Sequence, residues 1–173
     1  MMNVPNFLTL LRILLIPFFI NCLIYKYYSL ALGILFFAFA TDGLDGLIAR
    51  LADQRTLLGT YLDPMADKLL LTASFVTLSV TKIVPVWASV TVVSRDIVLI
   101  FGTILMDMVQ MKVNITPTLA GKSSTVLQFL YLCLVLLFVI FNKNLNSLFP
   151  LLVVTLALTV GSGLQYLYRG FLK

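Results

Sequence analysis

Long apolar runs constrain this chain more than any other feature of its sequence. Residues 127–141 and 148–159 are too apolar for a surface in water, and 61% of all 173 residues are hydrophobic while only 11% are charged. A soluble domain is about half apolar and a quarter charged. The pattern therefore predicts an all-α, polytopic membrane protein in which residues 1–173 form a single domain.

Six apolar spans can be drawn, each close to the length that a bilayer crossing requires. They cover residues 7–25, 29–51, 60–81, 84–106, 119–141 and 145–168. The connections between them are short and contain turn-forming residues, and no internal repeat is visible. We expect a bundle of six transmembrane helices.

Basic residues at the ends of the spans indicate the orientation of the bundle. One side carries more of them, namely Arg50, Arg55, Lys112, Lys122, Arg169 and Lys173. The other side carries Lys26, Lys82 and Lys143. Because Lys and Arg concentrate in cytoplasmic loops, we expect both termini, and the segment joining spans two and three, to face the cytoplasm.

The amino-acid composition, and the distribution of cysteine, lysine and arginine, exclude several kinds of chemistry. The chain has no histidine, which excludes imidazole metal ligation and a histidine general base. Cys22 and Cys133 lie in apolar runs and are expected to pack there without forming a disulfide. The basic residues stand singly at span ends, so the net charge of +5 indicates membrane orientation and no nucleic-acid partner. Any catalysis must therefore depend on carboxylates.

Five of the seven acidic residues lie in the segment that joins spans two and three. Asp42 and Asp45 are three residues apart, and Asp63 and Asp67 are four apart, so each pair lies on one helix face. A turn near residues 52–59 would make the two helices antiparallel and bring all four carboxylates to one depth. Helix caps and salt bridges are the alternative interpretation, but charge beside apolar helices usually serves function.

Four carboxylates in one low-dielectric pocket must either take up protons or bind cations. Oxygen-only sites favour hard divalent ions such as Mg²⁺, Mn²⁺ or Ca²⁺. Two metals bridged by carboxylates recur where phosphorus undergoes in-line displacement. Small residues interleave with the carboxylates and leave room for a ligand: Gly43, Gly46, Ala49 and Gly59. Arg50 can bind a phosphate oxygen.

Polar residues in other spans are further candidates. Asn6, Thr9 and Arg12 lie roughly on one helix face, where they line a polar pocket, or else cap the helix with Arg12 extending to the membrane surface. Arg95 lies inside span four with Asp96 beside it, as a ligand for an acceptor phosphate or as half of a structural ion pair. Lys122, at the cytoplasmic edge of span five, either meets a phosphate or extends to the surface.

The acidic segment resembles the complete signature of the CDP-alcohol phosphotransferase family. The matching pattern is Asp42-x2-Asp45-Gly46-x2-Ala49-Arg50-x8-Gly59-x3-Asp63-x3-Asp67, with every position filled. The resemblance extends over the whole chain, including its Asn-Phe-Leu-Thr-x2-Arg opening and the six-span layout. It implies a homodimeric integral membrane enzyme that displaces CMP from a CDP-linked donor with an acceptor hydroxyl.

The resemblance also implies roles for individual residues. Asp42, Asp45 and Asp63 would ligate two divalent cations, Mg²⁺ or Mn²⁺, and Asp67 would be a ligand or neighbour of that centre and the general base. The CDP part of the donor would be held by Asn6, Thr9, Gly46, Ala49, Arg50, Thr56 and Gly59.

The chain is most similar to the bacterial branch of the family, which implies CDP-diacylglycerol as donor and a cytoplasm-facing site at the inner membrane. Two acceptors remain open, glycerol 3-phosphate giving phosphatidylglycerophosphate and phosphatidylglycerol giving cardiolipin. With Arg12, Arg95 and Lys122 as the acceptor-binding residues, we favour glycerol 3-phosphate. Asp96 and Ser124, however, replace a Glu and a Lys of the phosphatidylglycerophosphate synthase pattern, and the Arg-Asp pair resembles mitochondrial-type cardiolipin synthases.

Two interpretations from other classes compete with an enzyme. A cation-coupled transporter would use the carboxylates to bind its ion, but transporter sites lie near the midplane on broken helices and often accompany repeats. A non-catalytic membrane scaffold would not need an intact signature. Metal-dependent CMP release from CDP-diacylglycerol separates the enzyme from both.

Overall fold

The computed structural model describes the backbone of residues 4–51, 57–108 and 119–171, and the side chains of residues 10–41, 68–102, 121–166 and 168. Within these ranges the chain is all-α, as predicted, and contains no β-strand. Its elements are α1 (Val4–Ile24), α2 (Tyr28–Leu51), α3 (Leu57–Val80), α4 (Val86–Met108), α5 (Leu119–Ile140), a 3₁₀ turn (Leu145–Leu148) and α6 (Phe149–Phe171).

The helices follow the predicted spans, with ends that differ by about three residues or fewer except at the start of α6. There the predicted span begins at residue 145, whereas the structure forms the 3₁₀ turn first. The Asn144 side chain caps this turn by accepting a hydrogen bond from the Asn146 N–H at 3.0 Å. Pro150 then stands in the first turn of α6, where a missing N–H costs nothing.

Two stretches of the described chain, Gly121–Ile140 and Leu145–Tyr166, are long and apolar enough to cross a membrane. Shorter apolar helical stretches lie in α1, α2 and α3. Large apolar side chains also point outward from the bundle, among them Phe18, Val80 and Phe101. Such an apolar surface would promote aggregation in water, and it is suited to contact with lipid. The crossing of the membrane by all six helices, and the side on which the termini lie, stay predictions.

Tight turns end α1, α3 and α5, at the positions where the sequence predicts connections. Each turn contains one residue with positive φ, namely Lys26 (64°), Lys82 (60°) and Asn142 (50°). The next residue donates its N–H to the carbonyl five residues earlier, in the pairs Tyr27–Cys22, Ile83–Leu78 and Lys143–Phe138. This bond is the Schellman arrangement, which satisfies carbonyls at a helix end. The described helices thus form three hairpins with tight turns, α1–α2, α3–α4 and α5–α6.

Two aromatic pairs join α5 to α2 and α3. The stacked rings of Phe39 on α2 and Phe129 on α5 have centroids 4.0 Å apart. Phe75 on α3 also stacks on Tyr131 of α5, with centroids 6.0 Å apart. Only five residues separate Leu51 from Leu57, and five residues span at most about 20 Å. The C-terminal end of α2 and the N-terminal end of α3 therefore lie at one end of the bundle.

The core joins the three hairpins. Helix α1 packs against both α2 and α3, α5 packs against α2 and α6, and α4 packs against α3 and α6. In the described part of the chain α2 and α3 share few direct contacts, so α1 supplies most of the packing that links them. The buried centre is formed by apolar side chains such as Phe19, Leu35, Phe75, Leu132 and Leu152.

Candidate active site

The acidic signature lies on the two helix ends that share one end of the bundle. The C-terminal part of α2 carries Asp42, Asp45, Gly46, Ala49 and Arg50. The N-terminal part of α3 carries Gly59, Asp63 and Asp67. The backbone of both segments is helical, as the spacing requires, but these side chains lie outside the described residues. Their convergence around cations therefore stays a prediction.

The residues predicted to hold the nucleotide are described in part. Asn6 and Thr9 lie in the first turns of α1, where only the backbone is described, and Thr56 lies outside the described residues altogether. Among the side chains that are described, no group of three or more potential metal ligands occurs.

The best-defined polar feature of the described structure is centred on Arg95 of α4. Its Nη1 donates to Asp96 Oδ1 at 2.8 Å, and the two side chains are only 9% and 10% exposed. The ion pair that the sequence suggests is therefore present, and it is buried. A guanidinium at this depth in an apolar bundle needs partners on the surrounding helices.

Asp96 connects this ion pair to α3. The Thr72 hydroxyl donates to Asp96 Oδ2 at 3.2 Å. Lys68 lies one turn earlier on the same face of α3, and its ammonium interacts electrostatically with both Asp96 and Arg95. Lys68 directly follows Asp67, so the α3 residues that interact with the ion pair adjoin the acidic signature in the sequence.

Two serines connect Arg95 to α5 and α6. Arg95 Nη2 donates to Ser162 Oγ at 3.2 Å and to Ser124 Oγ at 3.4 Å. Both serines are buried. Deeper in the bundle Gln128 Nε2 donates to Thr159 Oγ1 at 2.9 Å. We call the whole set the interhelical polar cluster, which comprises Lys68, Thr72, Arg95, Asp96, Ser124, Gln128, Thr159 and Ser162.

The interhelical polar cluster has an excess of positive charge. Lys68 and Arg95 are cationic, and Asp96 is the one anion among the cluster's members. The buried Nε of Arg95 has no hydrogen-bond partner in the part of the chain that the structure describes. Because an uncompensated buried cation is costly, an anion entering beside Arg95 would be stabilised there. The arrangement is suited to binding a phosphate group.

The other two cationic candidates have different environments. Arg12 is 1% exposed, so the interpretation in which its side chain extends to the membrane surface is wrong. The packing of α1 between α2 and α3 explains this burial. Lys122 lies in the first turn of α5 and is exposed, and the structure does not place it among the partners of Arg95.

Sequence reasoning missed several members of the cluster. Polar residues spaced three or four apart within apolar helices were the available signal, and they occur as Lys68 with Thr72, Ser124 with Gln128, and Thr159 with Ser162. The spacing shows that each pair shares a helix face. It does not show which other helix that face meets.

Comparisons with known proteins converge on one family. The model of the family described as CDP-alcohol phosphatidyltransferase matches residues 2–161. The human protein named cardiolipin synthase (CMP-forming) is 41% identical over 99 residues, which cover 57% of this chain and 33% of the human protein. The CDP-diacylglycerol–glycerol-3-phosphate 3-phosphatidyltransferase of Pseudomonas fluorescens is 48% identical over 80 residues, 44% of this chain and 41% of that protein.

A relative of matching length also occurs. The CDP-diacylglycerol–glycerol-3-phosphate 3-phosphatidyltransferase of Aquifex aeolicus is 31% identical over 175 residues, which cover 98% of this chain and 97% of that protein. The similarity to the human and Pseudomonas proteins is therefore confined to less than half of their length, whereas the similarity to the Aquifex protein extends almost from end to end.

Proposed function

The chain belongs to the CDP-alcohol phosphatidyltransferase family, and from this premise we propose that it transfers the phosphatidyl group of CDP-diacylglycerol to a glycerol-type hydroxyl and releases CMP. The observation that carries the proposal is that α3 bears two kinds of polar residue. This helix bears Asp63 and Asp67 of the signature. Lys68, which follows Asp67 directly, and Thr72, one turn further on, belong to the interhelical polar cluster. One helix thus links groups suited to phosphorus chemistry with groups suited to an anionic acceptor.

The donor set fits two divalent cations, which we propose to be Mg²⁺ or Mn²⁺. Asp42, Asp45, Asp63 and Asp67 offer carboxylate oxygens alone, the ligands that hard cations prefer. Support comes from the short separation of α2 and α3 along the chain, which keeps the C-terminal end of α2 and the N-terminal end of α3 at one end of the bundle. Cations held there by these carboxylates would neutralise the donor's pyrophosphate and the charge that develops on CMP.

The carboxylate of Asp67 takes the proton of the acceptor hydroxyl in this proposal. The hydroxyl oxygen forms a bond to the phosphorus that carries diacylglycerol, and the bond from that phosphorus to the CMP oxygen breaks. Asn6, Thr9, Gly46, Ala49, Arg50, Thr56 and Gly59 hold the CDP part.

The first candidate acceptor is glycerol 3-phosphate, which gives phosphatidylglycerophosphate. The relative from Aquifex, similar over almost its whole length, is named for this substrate. Arg95 binds the acceptor phosphate, and Arg12 and Lys122 add positive charge on the path to it.

Phosphatidylglycerol, which gives cardiolipin, is the second candidate, and the position of Ser124 favours it. The serine contributes a neutral hydroxyl 3.4 Å from Arg95 Nη2, where the phosphatidylglycerophosphate synthase pattern has a lysine. A phosphodiester carries one negative charge whereas a phosphomonoester carries up to two, so fewer cations are needed. The human relative is named for cardiolipin synthesis.

The proposed setting is the inner membrane of a bacterium. Six helices cross it, both termini and the acidic signature face the cytoplasm, and two copies form a homodimer. A site at the membrane surface lets the donor keep its acyl chains in the bilayer while its nucleotide stays in water.

An acceptor panel tests the proposal. Purified protein in detergent receives CDP-diacylglycerol and Mg²⁺ with glycerol 3-phosphate, phosphatidylglycerol, serine or inositol, and CMP and the lipid product are measured. We expect CMP together with phosphatidylglycerophosphate, and cardiolipin as the product if the second candidate is correct. Absence of CMP with every acceptor would overturn the enzyme assignment, and cation uptake into vesicles without CMP release would favour a transporter.

A further inference from the structure

Both terminal nitrogens of the Arg95 guanidinium are hydrogen-bonded to described residues. A guanidinium has five N–H donors in a rigid plane. Nη1 is directed to Asp96 and Nη2 to the hydroxyls of Ser124 and Ser162. Nε is buried and has no hydrogen-bond partner among the described side chains and backbone groups. Nε is therefore the one guanidinium nitrogen that bonds to none of the described residues.

The two serines act on Arg95 only as acceptors. The Ser124 hydroxyl donates to the Gly121 carbonyl at 2.9 Å, and the Ser162 hydroxyl donates to the Thr159 carbonyl at 2.8 Å. With both protons directed to carbonyls of their own helices, the Oγ lone pairs face the guanidinium. These lone pairs attract the N–H groups of Nη2, so the two serines orient the guanidinium of Arg95.

Gly163 provides the space for the stem of Arg95. A Cβ atom at this position would lie 3.3 Å from Arg95 Cγ, closer than an ordinary contact. A Cβ atom at Gly161, two residues earlier on α6, would have no atom of the described residues within 4 Å. The lack of a side chain therefore matters at one of these glycines and not at the other.

We infer that Ser124, Ser162 and Gly163 are positioning residues that hold Arg95 with its Nε N–H presented to the phosphate of the acceptor. The inference rests on the proposed function and adds α5 and α6 to the parts of the chain that select the acceptor. The ligand class is a phosphate monoester or diester that carries a free hydroxyl.

The first test removes both serine hydroxyls. In S124A/S162A the acceptor KM should rise about tenfold, the loss expected for hydrogen bonds to a charged group. The donor KM should stay unchanged, because the donor is bound elsewhere. The matched control is S94A, since Ser94 neighbours Arg95 on α4 but is exposed and bonds to the Thr91 carbonyl of its own helix. S94A should leave both KM values unchanged.

The second test adds one methyl group. G163A should raise the acceptor KM at least about threefold by displacing the Arg95 stem. G161A makes the same change on the same helix in open space and should have no such effect. The unfolding temperatures of S124A/S162A, S94A, G163A and G161A are compared with that of the wild-type chain. They show whether a change in KM arises from loss of the folded structure.

A binding assay makes the outcome independent of turnover. Glycerol 3-phosphate should raise the unfolding temperature of the wild-type chain, and S124A/S162A should lose most of that shift. An unchanged acceptor KM and an unchanged shift in both S124A/S162A and G163A would overturn the inference, as would equal rises in donor and acceptor KM. Wild-type CMP release would in that case still stand, whereas its absence would overturn the proposed function itself.

Discussion

Thr72 of α3 donates a hydrogen bond to Asp96 of α4 across 3.2 Å. This bond ties the helix that carries Asp63 and Asp67 to the ion pair formed by Arg95. The carboxylate of Asp96 therefore connects α3, the helix proposed to hold cations, with Arg95, the residue proposed to bind the acceptor. Substitutions at Arg95, Asp67 and Thr72 should therefore have different effects on acceptor binding, turnover and stability.

Replacement of Arg95 by alanine should raise the acceptor KM by one to two orders of magnitude and leave the donor KM nearly unchanged, because a charge-assisted contact to phosphate is lost. The variant should also be less stable by about 3 kcal/mol, since Asp96 loses its buried partner. Steady-state kinetics with each substrate varied in turn measures the first effect.

The R95A/D96A variant is the matched control for this substitution. It removes both charges, so stability should recover while the acceptor KM stays high. A donor KM that rises more than the acceptor KM in R95A would move Arg95 to the nucleotide pocket.

Replacement of Asp67 by asparagine should abolish turnover while CDP-diacylglycerol still binds, because the amide cannot take the acceptor's proton. Asp53 lies in the same acidic segment but outside the signature, so D53N is the control and should remain active. Binding of the CDP-lipid is measured by its effect on the unfolding temperature. A near-native rate in D67N would show that the proton goes elsewhere.

Replacement of Thr72 by valine keeps the shape of the side chain and removes its hydrogen bond to Asp96. The variant should be less stable by about 1 kcal/mol, the usual net value of such a bond. T91V is the control, because the Thr91 hydroxyl bonds only to the Trp87 carbonyl of its own helix among its described contacts. Equal unfolding temperatures for T72V and the wild-type chain would show that the contact between α3 and α4 contributes nothing.

Much of the fold was predictable because apolar runs and turn residues mark helix ends locally. The start of α5 at Leu119 and the turn at Lys82 are found where the sequence predicts them. The 3₁₀ turn before α6 was missed because Leu145 and Leu148 continue the apolar pattern, although Pro150 marked the start of the helix.

The Arg95 site was predictable only in part. An arginine next to an aspartate inside an apolar span indicates a buried ion pair, and that pair is present. The contacts with Thr72 and Ser162 depend on the neighbours and the rotation of each helix. These follow from the packing of the whole bundle, which no local spacing reveals.

We propose that four carboxylates at the ends of α2 and α3 bind two divalent cations. Metal stoichiometry measured together with CMP release tests this proposal most directly. Protein freed of metal with a chelator is titrated with Mn²⁺ in the presence of CDP-diacylglycerol and an acceptor. We expect two Mn²⁺ per chain, CMP release that depends on them, and loss of both in D42A. CMP release at the full rate in excess chelator, or unaltered Mn²⁺ binding in D42A, would contradict the proposal.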